Sequence, residues 1–353
     1  MRCLTMLLFA ALLILCAGVR AGSVDRRLDI YWIDTEGGAA TLIVTPAGES
    51  ILIDAGNSGS RDPHRIFDVA TRVAGLKQID HLVTTHYHID HFGGSAELAA
   101  LMPIRNVYNN GDFASGREKP SAEYLNFKTD KRIVLNPGDE IPLKASADAG
   151  APPLHIKCLA ARQIVIDPPA GAIQNPLCVE PKHKAKDLSD NANSIVQLLS
   201  FGDFRFFDGG DLTWNVELKL VCPINLVGAV DVYQAEHHGL DQSNHPLLIA
   251  SLAPTVAIIN NGPTKGCGPE MFAVLKATAS IQGMYQLHRN IRPDGDKINV
   301  EREYIANEEE KCEGNFVKVS VDPTAKTYTV TVPATKHEKI YAVQQRAMSG
   351  KNP

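Results

Sequence analysis

The stretch TTHYHIDHFGG, residues 84–94, sets three of the chain's 12 histidines and one aspartate between positions 86 and 91. His86 and His88 are two apart, so on an extended segment their side chains project to the same side. Two imidazoles placed that way can grip one cation. Asp90 and His91 come just beyond, where the chain turns, and would face a second cation. Neutral imidazole and carboxylate are the usual ligands of zinc and also serve iron and manganese. The plain alternative is a polar loop that happens to be rich in histidine. This spacing, directly after an apolar run, argues against it.

The elements that must position these residues are legible around them. LDIYWID (Leu28–Asp34), ATLIVT (Ala40–Thr45) and SILID (Ser50–Asp54) have the apolar, β-branched character of short strands. His64–Val73 has the spacing of an amphipathic helix. IDHLVTT (Ile79–Thr85) is a buried strand leading into the histidines. GSAELAAL (Gly94–Leu101) is a helix with Ser95 as its cap. The cluster therefore sits on a strand-to-helix loop, where layered α/β folds hold their sites. The same pattern returns later. Ser194–Ser200 and Phe204–Asp208 form a hairpin, and strands follow at Asp231–Ala235, Thr255–Asn260 and Met284–Leu287. Pro246–Leu252 and Pro269–Thr278 are helices, and residues 315–333 make a last hairpin. Residues 111–190 read as an irregular elaboration of the same domain. No internal repeat is visible at the 20–50 residue scale. A β/α half that appears twice predicts an α/β fold, two sheets packed face to face with helices outside, a four-layer αββα sandwich.

The chain has 353 residues, 44% hydrophobic and 21% charged, enough for a core without staples. Residues 1–21 stand apart. Arg2 precedes an apolar run from Met6 to Ala17, and Val19-Arg20-Ala21 supplies a small-residue site. That is the layout of a secretory signal cleaved after Ala21, which makes the protein secreted or periplasmic. The run is too short for a comfortable membrane span of about 20 residues, and no later segment reaches that length. An uncleaved anchor is the alternative. The mature domain would run from 22 to 335, followed by a tail at 336–353. Its net charge moves from −5 for the whole chain to about −7. That balance disfavours holding long nucleic acid by bulk electrostatics. Export permits disulfides. Of the five cysteines beyond residue 21, Cys158 and Cys178 flank one loop-rich stretch and are the first candidate pair. At least one thiol must stay unpaired.

THYHIDHFGG resembles the signature of the metallo-β-lactamase fold superfamily. Three further motifs agree in order over residues 28–290. Each alone is an ordinary turn. Asp54 in LIDAG resembles the aspartate that orients a ligand histidine from behind. Asp211 in GGDL resembles the carboxylate bridging two metals. His238 in EHHG resembles the late histidine on the second metal, with His237 left to contact phosphate or leaving group. The metal set the resemblance implies is His86, His88, Asp90, His91, Asp211 and His238, with Asp90 and His237 as the groups acting in catalysis. Many members carry another histidine before the strand leading to the bridging aspartate. Here that place reads SDNANS, Ser189–Ser194; His183 lies nearby among lysines and is a weak substitute. This form resembles the extracytoplasmic hydrolase domain of bacterial DNA-uptake (competence) channel proteins and their stand-alone relatives.

The chemistry implied is hydrolysis with two divalent ions, zinc first and manganese or iron next. On the subgroup resemblance, the substrate is a phosphoester or phosphodiester, a small molecule or short polymer. Hydrolysis of an acyl bond, as by a lactonase or β-lactamase, is the first alternative. A metal-binding module without turnover is the second, and retention of Asp90 and Asp211 argues against it. Cys267 reads as a disulfide partner or quiet thiol, His288 as a solvated strand end, and Lys265 as a contact for an anionic substrate or a solvated lysine.

Overall fold

The computed structural model describes residues 22, 24–112, 118–146, 148 and 150–346. The expected signal segment, residues 1–21, lies outside them. Among the described residues no helix is long and apolar enough to cross a membrane.

Two sheets form the centre. The first begins with β1 (Leu28–Ile33), β2 (Thr41–Val44), β3 (Ser50–Ile53), β4 (Ile79–Val83), β5 (Ile104–Asn109) and β6 (Lys131–Val134). β1 to β3 pair antiparallel, and β3 to β6 run parallel. The second sheet holds β7 (Leu154–Ala161), β8 (Ile164–Val165), β9 (Val196–Phe201), β10 (Phe204–Asp208), β11 (Val232–Gln234), β12 (Val256–Ile259), β13 (Gly283–His288) and β14 (Ile305–Asn307). Here β10 to β14 are parallel. β15 (Phe316–Val321), β16 (Thr327–Val332) and β17 (His337–Ala342) return to the first sheet beside β1.

The helices are α1 (Arg61–Asp68), α2 (Ile89–Phe92), α3 (Ser95–Leu101), α4 (Ala122–Asn126), α5 (Trp214–Val221), α6 (Pro246–Leu252) and α7 (Pro269–Ala277). Strand alternation sorts side chains to the two faces of each sheet. On β1, Ile30 and Trp32 enter the core between the sheets, with Phe206, Val232 and Ile258 from the other sheet. Tyr31 and Ile33 point the other way and pack with Ile66 of α1 and Leu98 of α3. On the second sheet, Phe207 and Tyr233 pack outward with Leu220, Leu248 and Leu275 of α5, α6 and α7. These three cores are the three interfaces of the expected αββα sandwich.

Several expectations need correction. The helix at 64–73 begins earlier, at Arg61, and ends in a π-turn over Val69–Val73. Ser95 is the first residue of α3 rather than its cap, which is Gly94. The stretch 111–190 contributes β7, paired along its length with β9, so part of it is sheet rather than elaboration. Its run LHIKCLAA alternates poorly because its last four residues are buried on both faces. Cys158 lies on that strand, buried between the sheets, and cannot reach a loop. Cys178 pairs instead with Cys222, leaving Cys158, Cys267 and Cys312 as free thiols.

The segment after 335 is no tail. β17 pairs with β16 over six residues, Tyr341 stacks on Tyr328 with ring centroids 5.4 Å apart, and its hydroxyl meets that of Tyr285 at 2.9 Å. Gln344 N–H and Arg346 then satisfy buried Asp231 at 2.7 and 2.8 Å. Removing a buried aromatic side chain costs about 3–5 kcal/mol, so Tyr341→Ala is expected to lose about that much in urea unfolding. Tyr341→Phe, which removes one hydrogen bond, should lose only about 1 kcal/mol.

Candidate metal centre

Each motif sits just past the carboxyl end of a parallel strand. Asp54 follows β3, the histidine run follows β4, Asp211 follows β10, and His237-His238 follow β11. Getting these side chains to one point demands unusual backbone. Asp54, His237 and His238 have φ of 60°, 55° and 54°, a left-handed region that residues with a Cβ seldom adopt. Hydrogen bonds hold them there: Asp54 N–H donates to Val83 O at 2.8 Å, His237 N–H to Gly210 O at 3.0 Å, and His238 O accepts from Cys267 N–H at 2.9 Å. The two glycines before Asp211 are required by space. A Cβ on Gly209 would lie 1.8 Å from Glu236 Oε1, and one on Gly210, at φ +57°, would press on Thr85 at 3.0 Å.

Two groups of ligand atoms result. His86, His88 and Asp211 form one; Asp90, His91 and His238 form the other. Asp211 Oδ2 stands between them. It lies 3.9 Å from His86 Nε2, 3.2 Å from His91 Nε2 and 3.4 Å from His238 Nε2. In the second group His238 Nε2 is 3.3 Å from His91 Nε2 and 3.4 Å from Asp90 Oδ2. Buried His86 Nε2 has no hydrogen-bond partner among the described residues. Imidazole nitrogens and carboxylate oxygens that converge in this way are a donor set for borderline divalent ions, and the residues fit that role.

Supporting contacts fix the rings. His91 Nδ1 meets Asp54 Oδ2 at 2.7 Å, while Asp54 accepts from Thr85 N–H at 2.8 Å and Thr85 Oγ1 at 2.7 Å. Thr85 Oγ1 and Ser194 Oγ lie 3.0 and 3.4 Å from His86 Nδ1, and Ser194 Oγ also accepts from Asp211 N–H at 3.2 Å. Ser194 thus steadies both sides of the first group. Asp190 ties this loop to the histidine run, accepting from Tyr87 N–H at 2.7 Å and Asn193 Nδ2 at 2.9 Å. Glu118 Oε1 stands 3.6 Å from His88 Nε2.

Charge balance is tight. Burial opposes a charge on His91, but Asp211, Asp54 and Asp90 outweigh it and raise its pKa well above the usual value. Burial likewise opposes ionised Asp211, and His238, His91 and His237 overcome it, so its carboxyl is held well below the ordinary range. His86 is driven the other way, lowered by burial and then by the charge on His91. Lys265, from the loop after β12, pairs with Asp90.

The expected residues Asp54, His86, His88, Asp90, His91, Asp211 and His238 all come to this place. His237 stands beside it, its Nε2 3.6 Å from Asp211 Oδ2. His183 is exposed in its lysine loop, outside both groups. Thr85 and Glu118 carried no sequence signal, since single polar residues are ordinary in loops; Asp190 and Ser194 lie in the SDNANS stretch, whose place the sequence marks without their roles.

A third group needs a different account. Asp34, His288 and Cys312 converge as well. His288, expected at a solvated strand end, is fully buried, with Nε2 2.9 Å from Asp34 Oδ1. Cys312 Sγ and Arg65 Nη1 take Asp34 Oδ2 at 3.1 and 2.9 Å. The arginine already neutralises the carboxylate. His288 Nδ1 lacks the acceptor that steadies a ligand imidazole. Burial and then Asp34 push the Cys312 thiol up to about 11. This is a clasp joining the end of β1 to α1, β13 and the 312 loop.

The model of the metallo-beta-lactamase superfamily matches residues 33–157, the stretch with Asp54 and the histidine run. Residues 33–157 carry a metallo-beta-lactamase superfamily domain. The match supports a metal-dependent hydrolase. No curated protein matches the chain. Among solved structures, a mutant of CmlA, a diiron beta-hydroxylase from Streptomyces venezuelae, is 14% identical over 74% of this chain and 52% of that one, with TM-score 0.44. The chain thus spans about half the length of that protein. A metallo hydrolase from the archaeon Ignicoccus hospitalis is 15% identical over 76% and 96%, with TM-score 0.39. A subclass B3 metallo-beta-lactamase from a soil metagenome is 14% identical over 73% and 75%, with TM-score 0.32.

Asp54→Asn keeps the hydrogen-bonding shape but removes the charge that orients His91. It is expected to weaken zinc binding roughly 10–100-fold in chelator competition, with an unchanged circular dichroism spectrum. His183→Ala should leave metal content and activity within about twofold, as befits a surface change; a marked loss of metal would bring that histidine into the site.

Proposed function

We propose that this chain is an exported two-metal hydrolase of phosphoesters, phosphodiesters foremost. The observation that carries the reading is Asp211, whose one oxygen faces His86 of the first group and His91 and His238 of the second. His86, His88 and Asp211 would hold one divalent ion; Asp90, His91, His238 and Asp211 would hold the other. Such ions activate water near neutral pH and offset charge that develops on the reacting group.

The remaining roles belong to side chains. Asp54 keeps His91 in one orientation, and Ser194 keeps His86 and Asp211 in register. His237 has a pKa lowered by burial, against the pull of Asp211, and is neutral at pH 7. Its Nε2 faces Asn191 Nδ2 at 3.2 Å and its Nδ1 faces Ser243 Oγ at 3.3 Å. Asn191 Nδ2 donates to Nε2 in this arrangement, so for the ring to offer a hydrogen bond to a phosphoryl oxygen beside Asp211 that contact must give way to the substrate. Lys265, partly exposed and paired with Asp90, adds positive charge on that side. No protein nucleophile is called for. Buried Cys158 and Cys267 have thiols pushed up to about 12, chiefly by burial. Ser194 Oγ is committed to backbone and ring.

The first group has two histidines and a carboxylate, with Ser194 and Asn191 in the loop where lactam hydrolases of the resembled family supply another histidine. This favours phosphoester over acyl substrates, as does the resemblance of the SDNANS, GGDL and EHHG motifs to the uptake-channel hydrolases. Export rests on the apolar segment at the start of the chain.

Purified mature protein is expected to hold about two divalent ions per chain by mass spectrometry and to cleave bis-p-nitrophenyl phosphate in preference to a chromogenic cephalosporin. Asp211→Ala should lose most metal and all measurable hydrolysis while keeping its fold. Full activity in that variant would end the two-metal account, and preferential cephalosporin cleavage would move the chemistry to acyl bonds.

A further inference from the structure

The loop after β12, residues 262–268, aims one charged side chain at the centre. Gly262 N–H donates to Lys265 O at 2.9 Å and closes the turn. Arg292 braces it from outside, donating to Gly266 O at 2.6 Å and Cys267 O at 3.0 Å. Cys267 N–H and Gly268 N–H donate to His238 O and Gly239 O at 2.9 and 2.6 Å, which fastens the loop to the turn that carries His238. The stem of Lys265 lies along Gly37, where a Cβ would stand 3.0 Å from Lys265 Cβ and 3.2 Å from Cδ. Next to it, a Cβ on Gly38 would meet Asp90 O at 2.5 Å. The lysine thus runs between two closely fitted loops, and its ammonium ends on Asp90 Oδ2.

The same oxygen faces the ligand histidines. Asp90 Oδ2 lies 3.4 Å from His238 Nε2 and 3.8 Å from His91 Nε2, so it is the atom that Asp90 turns to the rest of the second group. An ammonium and a divalent ion on one carboxylate oxygen repel each other, and a partly buried site screens them poorly. Of the two side chains only the lysine has room to withdraw. It is 41% exposed against 17% for Asp90.

Resting on the two-metal phosphoesterase reading above, we propose that Lys265 competes with the second ion for Asp90 and is drawn off by the phosphoryl group of the substrate. The chain then binds its first ion tightly and its second weakly until a phosphodiester anion takes the ammonium. Coupling between two ligands is reciprocal, so the anion tightens the second ion by the factor with which that ion tightens the anion. The lysine makes the complete centre depend on a substrate of the right charge. A neutral lactone offers no oxyanion to draw it away.

Manganese titration of the metal-free mature protein, with free Mn2+ counted by electron paramagnetic resonance, reads both binding steps without turnover. Dimethyl phosphate is the probe anion. In the unaltered protein it should tighten the second ion at least about fivefold and leave the first within about twofold. Lys265→Met should bind the second ion at least roughly tenfold tighter in the absence of the anion, since a like charge has gone. Dimethyl phosphate should then shift that ion by less than about twofold. Unchanged or weaker second-ion binding in Lys265→Met overturns the competition. No response to dimethyl phosphate in the unaltered protein, or an undiminished response in the variant, overturns the link between Lys265 and the anion. If neither protein takes a second ion at millimolar manganese, the two-metal reading itself falls, and this proposal with it.

Discussion

Three carboxylates, Asp54, Asp90 and Asp211, are brought to one poorly solvated place, and the rest of the centre is arranged around that concentration of negative charge. Burying a charge is tolerable only with a partner close by. Four imidazoles, from His86, His91, His237 and His238, and the ammonium of Lys265 answer it. The response is uneven. His91 is pulled toward its charged form, while His86 is pushed toward neutrality by burial and by His91 itself. Such a set is short of positive charge and oversupplied with lone pairs, the condition that divalent ions relieve.

The backbone that meets this demand is costly. Three side chains of the centre come from left-handed residues without glycine's freedom. They persist because neighbouring strands over-determine them. Behind the centre, a polar chain joins the two sheets. Trp32 Nε1 and Thr41 Oγ1 donate to Gln234 Oε1 at 2.7 and 2.9 Å, and Gln234 Nε2 donates to Asp208 Oδ1 at 3.0 Å. Asp208 in turn accepts from Gly210 N–H at 2.9 Å, one residue before Asp211. Asp211 is thus anchored to the first sheet although it follows a strand of the second. Burial pushes Asp208 up to about 7 and Glu236 well above its usual value, so the layer beneath the site carries less negative charge than two ordinary carboxylates would.

Much of this was legible in residue types. Strand alternation on LDIYWI separates the inter-sheet core from the helix-facing core, and the histidine run announces ligands through spacing alone. What escaped detection had physical reasons. β7 lacks period-two patterning because its second half is buried on both faces. β17 was hidden because HEKIYA carries charge on its exposed side and looks like a tail until Tyr341 finds Tyr328 and Tyr285. Cys158 does not join its sequence neighbour Cys178, because its strand turns the thiol into the core.

By itself, the sequence determined the chemistry available: which groups can bind a cation, in what local spacing, and on loops following which apolar runs. Such properties depend on residues a few positions apart, within reach of covalent geometry. Tertiary structure alone decided that Asp211 would stand between the two histidine groups, that Ser194 and Asp190 would steady them, and that Asp34, His288 and Cys312 would be closed by Arg65 instead of a metal. Those outcomes turn on distances between residues 17 to 278 positions apart, which only the packing of two sheets can set.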